Sequence, residues 1–341
     1  MKKTFVEYVW IDNVNKYRSK TRVLDRMVSD VGHVPLWNFD GSSTGQIYNN
    51  TINNTEVFLK PVCLFNDPFR KKNHKIVLCE CYDELDVPNS SNTRHCALEN
   101  AFRYKKNLKP WFGLEQEYFI CEPSTGLPVG YHPMNISDKH YCGIGTNNIF
   151  LRHIPNLHLT HCAYAGVKIS GINAEVCPSQ WEFQIGPCEG ISAGDHLHMG
   201  RYILHRICES YGYFVNYHPK LLEGKKWSGS GCHINFSTVK MREGTKKYSG
   251  YHFIQKAIIR LQDSHDDIMD FYGEYNNLRL NGLNNTSDYN KFSWSIGGRC
   301  ASLRVGNNVY ENKQGFFEDR RPASNIDPYL ATSKLFQVTC L

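Results

Sequence analysis

The sequence has no C-x-x-C spacing, no apolar stretch near 18 residues, no apolar segment behind its basic start and no block of like charge. Each absence removes a class of function. Without such an apolar stretch no transmembrane helix is expected, and no membrane role. The start, Met1-Lys2-Lys3-Thr4-Phe5-Val6-Glu7-Tyr8, carries lysines but no h-region, so it does not read as a secretory signal. The thirteen cysteines are odd in number, and their nearest approach to paired spacing is Cys79-Glu80-Cys81. They point to reduced, mostly buried thiols in a cytoplasmic protein, not to a disulfide frame or a structural zinc site. The net charge of +6 is spread along the chain, which argues against a nucleic-acid surface. An acidic or phosphorylated small molecule suits that balance equally well. Asn53-Asn54-Thr55 and Asn235-Phe236-Ser237 match the glycosylation pattern, but a cytosolic chain never meets that machinery. There is no internal repeat and no low-complexity segment.

What is present is an ordinary globular composition, 41% hydrophobic and 21% charged over 341 residues, enough for about two domains. Strand patterns run through 4–11, 17–23, 56–60 and 75–81, with a Gly/Ser loop at 37–45. These define a strand-rich domain over 1–85, and the polar stretch Asp86–Asn92 reads as its linker. A second domain then covers 86–341. It opens on a helix capped by Asn92 or Thr93 that runs toward Leu108. Further strands are expected at 111–118, 164–169, 180–187, 232–237, 301–305 and near 316–322. Helices are expected at 195–211, 253–271 and 328–341, with a turn at Gly306-Asn307-Asn308. His196 and His198 lie two apart on a helix, do not face each other, and read as packing residues.

The centre of the second domain is Trp111-Phe112-Gly113-Leu114-Glu115-Gln116-Glu117-Tyr118. On a strand, residues two apart share a face, so Glu115 and Glu117 stand side by side. Two ionised carboxylates that close repel, and a cation is the usual remedy. Taken alone, an E-x-E pair is more often a solvated strand face. However, Glu175, Glu182 and Glu318 also sit in apolar or aromatic contexts, and His233 follows a Gly-rich turn. Five carboxylates and one imidazole suit hard divalent cations better than zinc. Arg279, Arg299, Arg304 and Arg320 follow. Guanidinium groups beside metal-binding acids are what phosphoryl transfer requires, because both neutralise charge on the transferred group.

Six ordered motifs carry a family resemblance. They are Trp37-Asn38-Phe39-Asp40-Gly41-Ser42-Ser43-Thr44, the Trp111–Tyr118 run, Asn173–Val176, Gln180–Gly190, Gly231-Cys232-His233 with Asn235–Thr238, and Phe317–Pro322. Along nearly its whole length the chain resembles glutamine synthetase of the eukaryotic type. The resemblance implies an α+β fold: an N-terminal β-grasp domain and a catalytic domain with a curved antiparallel sheet and flanking helices. It implies a homo-oligomeric ring with active sites between subunits. The implied reaction joins ammonia to glutamate at the expense of ATP, through γ-glutamyl phosphate, with two or more Mg²⁺ or Mn²⁺ ions. By motif, Glu117, Glu175 and Glu182 would hold one ion and Glu115, His233 and Glu318 another. Trp111, Pro187, Asn235, Ser237 and Arg242 would line the nucleotide site. Arg279 and Arg320 would bind glutamate, and Arg299 and Arg304 the phosphates. Asp40 of a neighbouring subunit would help bind and deprotonate ammonium.

The departures concentrate on glutamate and ammonia handling. Where the family carries Gly-Phe-His-Glu-Thr-Ser on a flap, this chain has Gly282-Leu283-Asn284-Asn285-Thr286-Ser287, so Asn285 replaces the catalytic Glu. An amide neither accepts the proton nor attracts ammonium. In the turn before His233, Ser228 replaces Asn while Gly229 is kept. Phe316 stands in place of a Tyr, the segment 135–140 is shortened, and the N-terminal helix of the family is expected to be absent. The reading is a glutamate–ammonia ligase. A second is a homologue that binds Mg-ATP, is impaired in glutamine formation, and serves as a regulatory or structural subunit. A third is a ligase for a larger amine. Asp288 is the neighbouring acid that would have to replace the flap Glu.

Overall fold

Residues two apart on β1 (Thr4–Ile11) build the first core. Val6, Tyr8 and Trp10 share one face and pack with Val57, Leu59, Val77, Cys79 and Cys81. The computed structural model describes residues 3–47, 54–103, 106–132, 139–224 and 226–341. Within these, β1, β2 (Tyr17–Leu24), β3 (Trp37–Asp40), β4 (Glu56–Asn66) and β5 (Lys75–Tyr82) form one sheet in the order β2-β1-β5-β4-β3. The central β1–β5 pair is parallel and the others are antiparallel. The Gly/Ser stretch at 37–45, expected as a loop, starts as β3. It continues as a tight 3-10 turn, Gly41–Thr44, whose free amide at Ser42 is capped by Asp40. This sheet belongs to a compact unit of residues 1–99 and 160–167, and the remaining residues, 100–159 and 168–341, form a second unit.

Asn92 caps α1 (Thr93–Ala97), its side-chain oxygen accepting from the His95 amide. The helix expected to reach Leu108 instead widens into a π turn at Leu98–Phe102. Residues 104 and 105 of that expectation lie outside the described residues. The second unit is built on β6 (Trp111–Cys121). After it come α2 (His153–Ala165), whose residues 160–165 count with the first unit, then β7 (Ile169–Ala174), β8 (Gln180–Glu189), α3 (Ser192–Ser210), β9 (Phe214–Asn216) and β10 (Cys232–Ser237). Next are α4 (Val239–Glu243), α5 (Gly250–Asp263), α6 (His265–Met269), α7 (Asn276–Arg279), β11 (Trp294–Ile296) and β12 (Leu303–Val305). The unit closes with α8 (Asn307–Asn312), β13 (Phe317–Asp319) and α9 (Pro328–Cys340). The strand order is β11-β12-β13-β10-β6-β8-β7, with β9 also paired to β6. The sheet is antiparallel except for β11–β12.

Three local expectations are corrected. Residues 164–169 are not a strand: α2 runs to Ala165, Gly166 turns at φ 86°, and β7 begins only at Ile169. Small residues there serve the helix exit. The expected helix 253–271 starts at Gly250 and is interrupted at Ser264, which ends α5 and precedes α6. Gly306-Asn307-Asn308 is not a free turn, since Gly306 leads directly into α8. His198 is buried against Tyr329, in keeping with a packing role. None of the thirteen cysteines is in a disulfide, and most are buried. No helix among the described residues is long and apolar enough to cross a membrane.

The second sheet has a dry face and a polar face. Gln116 points to the dry side, where its Oε1 accepts from Arg201 Nε of α3 at 2.8 Å and its Nε2 donates to the Ser324 carbonyl. Asp319 on β13 faces the same side and is paired with Arg321, both fully buried, with the Tyr272 hydroxyl on Asp319 at 2.8 Å. These satisfied polar groups lock β6 and β13 onto the helices. Their neighbours at odd spacing are thereby aimed the other way.

Candidate active site

Strand register assembles the polar face. Partners directly opposite on paired strands share a face. Glu115 is opposite His233, Glu117 is opposite Glu182, Asn173 is opposite Glu182, and both Asn235 and Arg304 are opposite Glu318. Every one of these residues therefore faces the same way. The result is two acid clusters, Glu117 with Glu175 and Glu182, and Glu115 with His233 and Glu318. Within each, one donor atom per residue lies within 4.8 Å of the others. Oxygen-rich sets of this spacing fit hard divalent cations.

The electrostatics of the first cluster show what a cation would relieve there. Burial pushes Glu117, Glu175 and Glu182 each up to about 8, and mutual repulsion adds to it: Glu175 acts on Glu117, Glu182 on Glu175, and Glu117 on Glu182. Three carboxylates in one dry site cannot all stay charged alone. Glu115 differs. Burial raises it too, but the hydrogen bond and charge of His233 and the Asn235 amide outweigh that and hold it below the usual range. Asn235 Nδ2 donates to Glu115 Oε1 at 2.7 Å. Burial, helped by the charge of Arg320, lowers His233 and favours the neutral imidazole that ligates metals. Its Nδ1 is 3.6 Å from Glu115 and 3.5 Å from Glu318.

The arginines frame the same cavity of about 410 Å³, lined by the two clusters, Ser228, Gly229, Asn284, Asn285, Arg279, Arg299, Arg304 and Arg320. Arg279 is buried, which brings it down to about 10, and its Nη2 is fixed by the carbonyls of Arg320, Arg321 and Pro322. Arg304 and Arg320 both pair with Glu318. Arg299 is exposed at the rim. Gly229 is required by contact: a Cβ there would lie 2.4 Å from Arg279 Cγ and 2.5 Å from the Pro219 carbonyl.

The flap is a short hairpin, closed by an Asn281–Asp288 bridge and a Gly282–Ser287 hydrogen bond. Asn284 and Asn285 both have left-handed backbones, φ 51° and 61°, which asparagine tolerates better than most residues. Asn285 lines the cavity, while Asp288 does not: its carboxylate accepts from the Asn290 amide at 2.9 Å. Asp288 is therefore committed to its own turn. Phe316 is exposed beside β13. The shortened segment 135–140 lies largely outside the described residues.

Trp111, Pro187, Asn235, Ser237 and Arg242 are not among the residues lining this cavity. The Arg242 guanidinium lies 3.9 Å from the Trp111 ring and donates to the Ser237 hydroxyl and carbonyl. Pro187 falls in a bulge, where Gly186 and Pro187 of β8 face Gly113 alone. Asp40 belongs to the other unit. It is exposed, and hydrogen bonds from Ser42 hold its carboxyl below the usual range. Sequence reasoning passes over Tyr141, Gln184 and Thr286, which also line the cavity. Period-two counting from Glu182 finds Gln184, whereas nothing local marks Tyr141.

Comparison with known proteins agrees with this geometry. Residues 2–84 match the glutamine synthetase β-grasp domain and residues 91–340 the glutamine synthetase catalytic domain. The chain is 47% identical over 338 residues to a glutamine synthetase of Agaricus bisporus, covering 98% of this chain and 93% of that one. It is 43% identical to that of Saccharomyces cerevisiae, covering 98% and 88%. It is 45% identical to a putative glutamine synthetase of Acanthamoeba polyphaga mimivirus, covering 99% and 94%. In fold it is similar to a Plasmodium falciparum glutamine synthetase (TM-score 0.76, 15% identity, 98% and 71% covered).

Proposed function

The chain belongs to the glutamine synthetase family, and from this we propose that its cavity joins ammonia to glutamate at the expense of ATP, through γ-glutamyl phosphate. The observation that carries the reading is two acid clusters and four arginines around one cavity. Two or more Mg²⁺ or Mn²⁺ ions fit, because the donors are oxygen-rich and three of them are too crowded to ionise unaided. Bound, such ions would neutralise charge on the phosphates. Glu117, Glu175 and Glu182 would hold one, and Glu115, His233 and Glu318 another.

The chain's own residues then divide the work. Arg279, rigid on its three carbonyls, would hold a glutamate carboxylate with Ser228 and Gly229 beside it. Arg320, now paired with Glu318, would turn to glutamate, and Arg299 and Arg304 to the phosphates. Trp111, Pro187, Asn235, Ser237 and Arg242 would border the nucleotide. Asp40, supplied by a neighbour in a homo-oligomeric ring, would take up ammonium. The flap offers no acid to the cavity, so the ammonia step is the slow one. The second reading, a nucleotide-binding homologue with little glutamine formation, is favoured by that same observation. Assaying ADP release and glutamine together separates the two: ADP formed with glutamate but without matching glutamine favours the second.

A pH test checks the cation site. The native carboxylates keep protons to about pH 8, while the unfolded chain loses them near the ordinary carboxylate value. The native state therefore binds more protons in between, and stability falls as pH rises toward 8. Buried histidines such as His198 and His205 have the opposite sign, but they act only below their ordinary value. Between about pH 6.8 and 8.0 the metal-free protein should lose thermal stability. Added Mn²⁺ should raise the melting temperature more at the upper pH than at the lower. An equal rise at both would contradict proton displacement by the ion.

A further inference from the structure

Gln180 opens β8, two residues before Glu182 and so on the same polar face, yet it is 1% exposed. Its Oε1 accepts from the Cys177 amide at 3.2 Å, which fixes which end of the amide is which. Its Nε2 therefore faces Glu117 Oε2 at 3.2 Å, the Gly229 carbonyl at 3.1 Å and the Ser230 hydroxyl at 2.9 Å. The Gln180 carbonyl accepts from the Glu175 amide at 2.9 Å. One residue thus touches a carboxylate of the first cluster, the backbone of a second, and the turn that carries Ser228 and Gly229. That turn is further tied to Glu117 by the Gly231 amide at 3.0 Å.

The residue type matters. A lysine or arginine there would stabilise Glu117 but oppose a divalent cation. A neutral amide donates to the carboxylate without adding charge. Gln184, two residues further along from Glu182, does the same for Glu182. We infer that Gln180 is a positioning residue that holds the Glu117 carboxylate and the Ser228–Gly229 turn as one unit, so that the cation site and the glutamate pocket keep a common geometry. The inference rests on reading the acid cluster as a cation site.

Gln180→Met keeps the length of the side chain and removes its donors. The measurements are Mn²⁺ affinity by calorimetry, thermal melting, and KM for glutamate and ATP separately. Mn²⁺ binding should weaken by about 10–100-fold, the usual loss for a group that orients a metal ligand. KM for glutamate should rise while KM for ATP stays near that of the unaltered protein. Should the Met variant fail to fold, Gln180→Asn serves, because its shorter amide cannot reach Glu117 and Gly229 together. A lower melting temperature with unchanged Mn²⁺ affinity and unchanged KM for glutamate would overturn the inference and leave Gln180 as packing. If the unaltered protein binds no Mn²⁺, the cation-site reading itself fails, which is a distinguishable result.

Discussion

Replacing Asn285 with glutamate raises the rate of glutamine formation by about 10²–10⁴-fold, the range that a positioned general base contributes. The expectation comes from chemistry and position together. Asn285 lines the cavity, and the acid next along the flap, Asp288, is bound to the Asn290 amide outside it. An amide oxygen cannot take a proton from ammonium, whereas a carboxylate can. The substitution also has a cost. Asn285 has φ 61°, and a residue with a longer side chain in that region loses about 1 kcal/mol relative to asparagine. The variant should therefore be faster and slightly less stable. Initial rates and a thermal melt on the same preparation check both parts. No gain in rate, with ATP binding intact, would show that the flap acid does not limit the reaction.

Glu117→Gln should have the opposite pair of effects. The amide keeps the shape and still accepts from Gly231, but it removes one of three crowded carboxylates. The metal-free protein should then melt higher at pH 8, since Glu117 no longer has to lose a proton in a buried site. Mn²⁺ affinity should fall more than about 100-fold, beyond the loss typical for groups that only orient a ligand. Glutamine formation should fall by at least about 10²–10³-fold, the scale of losing one aligned electrostatic contact. Calorimetry, melting and rates test the three parts. A variant with unchanged metal affinity would mean that Glu117 is not a ligand.

Much of this site is legible without the fold. Glu115 and Glu117 share a face because strand side chains alternate, and the same rule places Glu182 on its strand. Cross-strand register then explains what alternation alone cannot, namely that Glu117 meets Glu182 and Glu115 meets His233. Glu175 is harder, since it lies just past β7 and is held by the Gln180 carbonyl. Tyr141 and the twin left-handed asparagines have no local signature, because their placement depends on a cavity assembled from distant segments. The helix break at Ser264 escapes sequence reading for a physical reason. An apolar period crosses that residue without interruption, while the backbone does not.

The most direct test is one reaction vessel holding the protein, ATP, glutamate, ammonium and Mg²⁺ or Mn²⁺, with ADP and glutamine both followed. A working ligase forms the two in equal amounts, only with a divalent ion present, and more slowly than the Asn285→Glu variant. Bound nucleotide with neither product under either ion would contradict it.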